Sequence, residues 1–172
     1  MLIPMTEAQI LIRTVSPSDL DVVTLVEATC FPKAEAAPKA ALDERIAAFS
    51  ESFFVAEHEG EIIGFVNGNV TNDRVISDDM FANAALHNPE GLYQAIFGLA
   101  VIPSFQKQGI AAKLLRHLIT DAKDKGRKGV ILTCKDKLLP YYTRFGFQNM
   151  GLSQSTHGGS MWYDMIIEFP TE

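Results

Sequence analysis

The stretch that decides the fold is LYQAIFGLAVI, residues 92–102, followed by PSFQKQGIAAKLLRHLITDAK, residues 103–123. The first segment carries apolar residues at alternate positions, which predicts a strand buried on both faces in the middle of a sheet. Gly98 interrupts this strand. A glycine inside a strand indicates a bulge or a close approach by another backbone or a ligand.

A helix is predicted over residues 109–125. Its apolar residues, from Ile110 to Ala122, recur at helical spacing, and Gly126 ends it. A strand follows over residues 129–133. The centre of the chain is therefore predicted to be a βαβ unit.

The turn before this helix has the features of a phosphate site. Gly109 lets a ligand approach the backbone, and the first N–H groups of the helix and its dipole point at one place. Seven Lys or Arg residues lie between Lys107 and Lys128, against two Asp. A plain strand-to-helix turn also needs glycine for its geometry, so the turn alone leaves both interpretations open.

The remaining segments alternate between the two periodicities, which predicts a mixed α/β fold. The loop over residues 72–91 is expected to contain one helical turn, near 78–81. The predicted strands are 10–15, 53–57, 62–66 with an extension to about 71, 147–151 and 161–169, and the predicted helices are 20–28, 38–50 and 137–145.

Length and composition predict one soluble domain, over residues 10–168. The chain has 172 residues and is 47% hydrophobic, enough for a single core. Its net charge of −6 argues against nucleic acid or an anionic membrane as a partner. Two distant cysteines, with no zinc spacing, and no apolar run of about 18 residues favour an unprocessed cytoplasmic protein without a metal site.

Two motifs carry a resemblance to a known family. Leu99-Ala100-Val101 followed by Gln106-x-x-Gly109-x-Ala111 resembles motif A of the GNAT superfamily of N-acetyltransferases, which binds the coenzyme A pyrophosphate. The run LPYYTRFGF, residues 139–147, resembles the second signature of that family. More narrowly, residues 92–151 look like arylalkylamine (serotonin) N-acetyltransferases.

The resemblance implies the GNAT fold, a mixed and mostly antiparallel sheet splayed near Gly98, with acetyl-coenzyme A in the gap. Tyr142 matches the family's general acid toward the departing thiolate. A phenol with a pKa of about 10 suits that proton transfer. The residues implied to bind the cofactor are Leu99, Ala100, Val101, Gln106, Lys107, Gln108, Gly109, Ile110, Ala111, Ala112 and Tyr142.

The general base is where the resemblance weakens. Arylalkylamine enzymes place two histidines before the Leu-Ala-Val segment, and Ala95 and Phe97 stand there instead. Glu35, in the loop after the first helix, is the candidate base. Glu35 is equally compatible with a structural role, in which its negative charge stabilises the N-terminus of the next helix. The four histidines, His58, His87, His117 and His157, are expected at the surface or in loops; a position of His87 or His157 beside an acceptor pocket is the less favoured alternative.

The function predicted from the sequence is direct transfer of an acetyl group from acetyl-coenzyme A to the primary amine of a small molecule. Two alternatives stay open: a non-catalytic acyl-coenzyme A sensor, and an acetyltransferase acting on a protein amine. A P-loop NTPase is disfavoured because the turn lacks the Gly-Lys-Ser/Thr ending. A homodimer is compatible with the sequence.

Overall fold

The computed structural model describes residues 9–171, which form five α-helices and nine β-strands. The helices are α1 Leu20–Cys30, α2 Lys39–Phe49, α3 Asp78–Ala82, α4 Ile110–Asp124 and α5 Leu139–Thr143. The strands are β1 Ile10–Thr14, β2 Phe53–His58, β3 Glu61–Asn67, β4 Val70–Thr71, β5 Tyr93–Ile96, β6 Gly98–Val101, β7 Gly129–Cys134, β8 Gln148–Leu152 and β9 Tyr163–Glu168.

The strands form two sheets that diverge at the centre of the molecule. One sheet has the order β1-β2-β3-β6 and is antiparallel throughout. The other has the order β4-β5-β7-β9-β8, in which β5 and β7 are parallel and the other pairs are antiparallel. The predicted mixed, mostly antiparallel α/β fold is confirmed. The predicted extension to residue 71 is real, but as β4 it belongs to the second sheet.

A β-bulge causes the divergence. Phe97 N donates to Asn67 O at 2.7 Å, and Gly98 is also the register partner of Asn67, so two residues oppose one. The strand predicted over 92–102 is thereby divided into β5 and β6. The sequence indicates an interruption at Gly98. The break in the structure is centred one residue earlier, at Phe97.

Helices cover both faces of the first sheet because the side chains of β2 alternate. Phe53 and Val55 pack with the residues of α1 and α2, whereas Phe54 and Ala56 pack against α4. The buried residues of α4 are Ile110, Leu114, Leu115, Leu118 and Ala122. Replacing one of its buried leucines with alanine should lower the free energy of unfolding by about 2–5 kcal/mol. This packing fixes the N-terminus of α4 against the end of β6.

Candidate functional site

A cavity of about 750 Å³ opens where the two sheets diverge. Residues 96–99 of the bulge form one wall, and residues 132–135, at the end of β7 and just after it, form the opposite one. Helices α1, α2, α3 and α5 and the loops after α1, β7 and β8 close the remainder. The other residues that line the cavity are Glu27, Cys30, Phe31, Pro32, Glu35, Ala36, Ala37, Pro38, Ala41, Glu44, Arg45, Asp78, Phe81, Ala82, Lys137, Leu138, Tyr142, His157 and Trp162.

Strand β6 turns backbone groups that do not pair with β3 toward this gap, although Val101 O accepts from Gln106 Nε2. Ile102 N donates to Ile63 O at 2.9 Å, and the ladder bonds of an antiparallel pair alternate. The backbone groups of Leu99 and Val101 therefore point away from β3, toward the gap. Ala100 has its side chain in the core, and by the same alternation its backbone pairs with Phe65 of β3 rather than with the gap.

The predicted phosphate turn has the expected geometry. Gly109 is the N-cap of α4 with φ +81°, no side chain among the described residues caps the helix, and a Cβ placed on Gly109 would meet open space within 4 Å. Lys107 also has a positive φ of 63°. The exposed turn thus leaves the first N–H groups of a 15-residue helix open to an anion.

The other residues expected around the cofactor take different positions. Gln106 Nε2 donates to Val101 O at 2.9 Å, so this side chain closes the turn onto β6. Ile110 is buried in the core, while Ala111 and Ala112 are half-buried on the first turn of α4. Gln108 is exposed beside Gly109. These residues form one continuous edge from β6 to α4.

Tyr142 lies on α5 and lines the cavity next to β7. It is 9% exposed, and its ring packs edge-on against Tyr141 and Phe147. Burial, followed by the nearby Cys134 thiol, raises the pKa of the Tyr142 phenol. The hydroxyl therefore keeps its proton at neutral pH.

Glu27 on α1 is a buried carboxyl group that the sequence interpretation overlooked. It is 5% exposed, Oε2 accepts a hydrogen bond from Ala37 N at 2.9 Å, and Oε1 has no partner among the described residues. Desolvation raises the pKa of Glu27 against the opposing effects of Ala37 N, Arg45 and His157. The signal was present in the sequence: Glu27 lies four residues after buried Val23, on the apolar face of α1.

Glu35, the base predicted from the sequence, lines the same cavity in a different setting. Its Oε2 accepts a hydrogen bond from Lys135 Nζ at 2.8 Å, and its backbone carbonyl lies 3.0 Å from His157 Nε2. Lys135 also lies over the Trp162 ring. Glu35 therefore ties the loop after α1 to β7 and to the loop before β9, and a catalytic role for it stays a prediction.

Aromatic side chains surround the part of the cavity next to α3 and the loop after β8. Phe81 stacks on His157 at 4.8 Å and contacts Phe97, and Phe31 and Trp162 complete the set. His157 thus lies at the cavity, the less favoured of the two positions considered from the sequence. His87 does not line it: this buried ring accepts a hydrogen bond from Val70 N at 3.0 Å, and burial lowers its pKa.

Both cysteines line the cavity as free thiols. Burial raises the pKa of Cys134 to about 11 and also raises that of Cys30. Within residues 9–171, no group of three or more His, Cys, Asp or Glu side chains is placed to hold a metal ion. No helix in the same range is long and apolar enough to cross a membrane.

The chain belongs to the acetyltransferase (GNAT) family, whose family model matches residues 21–147. It is 29% identical over 108 residues to serotonin N-acetyltransferase of Mesocricetus auratus, covering 62% of this chain and 51% of that protein. The chain thus spans about half the length of this curated relative.

Two solved structures illustrate the shared fold. The GphF GNAT-like decarboxylase in complex with isobutyryl-CoA aligns with a TM-score of 0.81 at 21% identity, covering 92% of this chain and 98% of that one. A GNAT family acetyltransferase from Brucella melitensis in complex with acetyl-CoA aligns with a TM-score of 0.60 at 19% identity, covering 95% and 90%.

Proposed function

We propose that this protein transfers an acetyl group from acetyl-coenzyme A to the primary amine of a small molecule within a ternary complex. The observation that carries the proposal is the presence of Glu27 and Tyr142 in one cavity, one able to accept a proton and the other able to donate one. Family membership supports the acyl donor.

The donor would lie along the edge from β6 to α4. The N–H groups at Gly109 and the dipole of α4 would hold the pyrophosphate, and the backbone of Leu99 and Val101 would pair with the pantetheine amides. When bound, acetyl-coenzyme A supplies the thioester carbonyl that the amine attacks. Residues 132–135, at the end of β7 and just after it, would form the other wall of this channel.

Glu27 would deprotonate the acceptor. A raised pKa brings a carboxylate closer to the basicity that proton abstraction near neutral pH needs, and its charge attracts a cationic amine. Glu27 takes one proton from the ammonium group, the amine nitrogen forms a bond to the acetyl carbon as the C–S bond breaks, and the second proton that the nitrogen loses restores the Tyr142 phenol after it has protonated the sulfur. Glu35 is a weaker candidate because its Oε2 already accepts from Lys135.

Tyr142 would protonate the departing sulfur. Its raised pKa keeps the phenol protonated until negative charge develops on the thiolate. A covalent relay through Cys134 is disfavoured because a thiol whose pKa is about 11 is largely protonated at neutral pH. Direct transfer therefore agrees best with the chemistry of the cavity.

The test is thiol release by the purified protein with acetyl-coenzyme A, against a panel of small primary amines and a peptide with a free N-terminus. We expect turnover with small amines, about a 100-fold loss for Glu27→Gln, and loss of the rise in rate with pH in that variant. Glu35→Gln, the matched control, should lose less than tenfold. Tight acetyl-coenzyme A binding without turnover would instead indicate a sensor, and turnover with the peptide alone a protein acetyltransferase.

A further inference from the structure

Arg45 is a charged side chain buried in the wall of the cavity without a counter-ion. It lies on α2, is 5% exposed and lines the cavity. Its two hydrogen bonds go to uncharged oxygens, from Nη1 to Asn67 Oδ1 and from Nη2 to Phe81 O, each at 3.2 Å. Its Nε has no partner among the described residues.

Among residues 9–171 the other arginines are ion-paired or exposed except Arg127, which is half-buried and donates to the Pro89 and Gly91 carbonyls. Arg13 forms ion pairs with Asp19 at 2.8 Å and Glu57 at 2.7 Å, and Arg74 pairs with Glu168 at the surface. Within residues 9–171, Arg45 forms no such pair. The Glu27 carboxylate favours the charged form of Arg45 from beyond ion-pair distance, while burial lowers the pKa of Arg45. Such a charge is costly to bury unless something else compensates it.

The compensation that fits best is an anion entering the cavity. A guanidinium has five N–H donors in a planar fork, and Arg45 uses two of them. The fork matches the two oxygens of a carboxylate. The Phe97 ring, 5.1 Å from the guanidinium carbon, and the bond to Asn67 hold the group at the bulge where the sheets diverge.

We propose that Arg45 binds a carboxylate on the acceptor, so that the preferred acceptor is an amino acid with an apolar or aromatic side chain. This rests on the proposed function. Glu27 and Arg45 line one cavity with opposite charges, and a zwitterionic amino acid carries the complementary pair, its ammonium toward Glu27 and its carboxylate toward Arg45. The aromatic walls formed by Phe31, Phe81 and Trp162 suit an apolar side chain.

The experiment compares matched acceptors with and without the carboxylate: phenylalanine with phenethylamine, tryptophan with tryptamine, and leucine with 3-methylbutylamine. We expect the wild type to acetylate the amino acids with the higher kcat/KM. Arg45→Gln should lower that kcat/KM about 100-fold, because the buried carboxylate loses its charge partner, and should change the kcat/KM of the simple amines less than tenfold. Arg45→Lys should have a kcat/KM for amino acids between those of Arg45→Gln and the wild type. The exposed Arg74→Gln should have the same kcat/KM as the wild type.

Three outcomes would overturn the inference. The first is a wild-type preference for the simple amines, which leaves the proposed function standing. The second is an equal loss of both substrate classes in Arg45→Gln, which indicates a structural role. The third is an Arg45-dependent preference for succinyl-coenzyme A over acetyl-coenzyme A, which places the carboxylate on the donor. If no acceptor turns over, the proposed function fails, and calorimetry of amino acid binding to wild type and Arg45→Gln still decides whether Arg45 binds the carboxylate.

Discussion

Glu27 and Gly98 face each other across the start of β6: a Cβ placed on Gly98 would lie 3.8 Å from Glu27 Oε1. That oxygen has no hydrogen-bond partner among the described residues. The bare backbone at Gly98 therefore leaves a buried carboxylate oxygen facing the gap between the sheets. This relationship joins the bulge, which divides the sheets, to the chemistry proposed for the cavity.

Gly98→Ala tests whether that space is functional. The nearest atom to the new methyl group is Phe65 Cε1 at 3.4 Å, an ordinary contact, so the variant should fold with a Tm close to that of the wild type. The methyl group would stand between the acetyl group and Glu27, and we expect kcat/KM to fall about 10- to 100-fold. Steady-state thiol release and thermal unfolding measure the two effects.

The contrasting control is Gly68→Ala. Its Cβ would lie 1.8 Å from Ala95 O, so the backbone must move, and we expect a loss of about 3 kcal/mol in the free energy of unfolding. Equal loss of stability in both variants would contradict a specific role for the space at Gly98.

Glu27→Gln should raise stability at neutral pH. Because desolvation raises the pKa of Glu27 above its ordinary value of 4.5, the folded state holds this proton more tightly than the unfolded chain does. The stability that this proton linkage contributes is complete below about pH 4.5 and is lost as the pH rises through the folded-state pKa. The Tm of Glu27→Gln should therefore exceed that of the wild type by a few degrees at pH 8 and converge with it near pH 4. A constant difference across this range would argue that the carboxylate is not strained by burial.

Tyr142→Phe should lower thiol release about 100-fold with little change in Tm. The substitution removes the hydroxyl group and keeps the ring that packs against Phe147. Tyr141→Phe is the matched control, since Tyr141 adjoins Tyr142 without lining the cavity, and it should retain wild-type turnover. Similar rates for Tyr142→Phe and the wild type across pH would remove this residue from the mechanism.

Gly109→Asp tests the phosphate turn with charge. Its carboxylate would lie at the N-terminus of α4 and repel a pyrophosphate, at the cost of the strain that a side chain meets at φ +81°. We expect the Kd for acetyl-coenzyme A, measured by calorimetry, to rise more than tenfold. Gly126→Asp adds the same charge at another exposed glycine, with φ +80° and open space, after the other end of α4. A comparable loss of binding in both variants would mean that net charge, rather than this turn, controls affinity.

Much of the fold could be predicted because its signals are local. The apolar alternation over 92–102, the helical spacing of α4 and the glycine at 98 together indicated the central unit and its interruption. The break falls at Phe97 because the bulge sets both Phe97 and Gly98 opposite Asn67, a pairing that depends on a strand some thirty residues away.

The part of the site that contains Glu27, Glu35 and Arg45 could be predicted only in part. Glu27 and Arg45 fall on the apolar faces of α1 and α2, so a charged residue at a buried position was available as a signal. The sequence carried no signal for the partner of Glu35, because Lys135 lies 100 residues further along the chain and contacts Glu35 only through the packing of loops. Tertiary contacts of this kind decide which carboxylate is paired and which is open.

Acetyl transfer itself is tested by mass spectrometry of the products formed by the purified protein from acetyl-coenzyme A and a mixture of small primary amines and amino acids. We predict that acceptors in the mixture gain one acetyl group, that free coenzyme A appears in equal amount, and that Glu27→Gln and Tyr142→Phe both suppress the two products together. Release of coenzyme A without an acetylated amine, or binding of acetyl-coenzyme A with neither product, would contradict the proposed transfer.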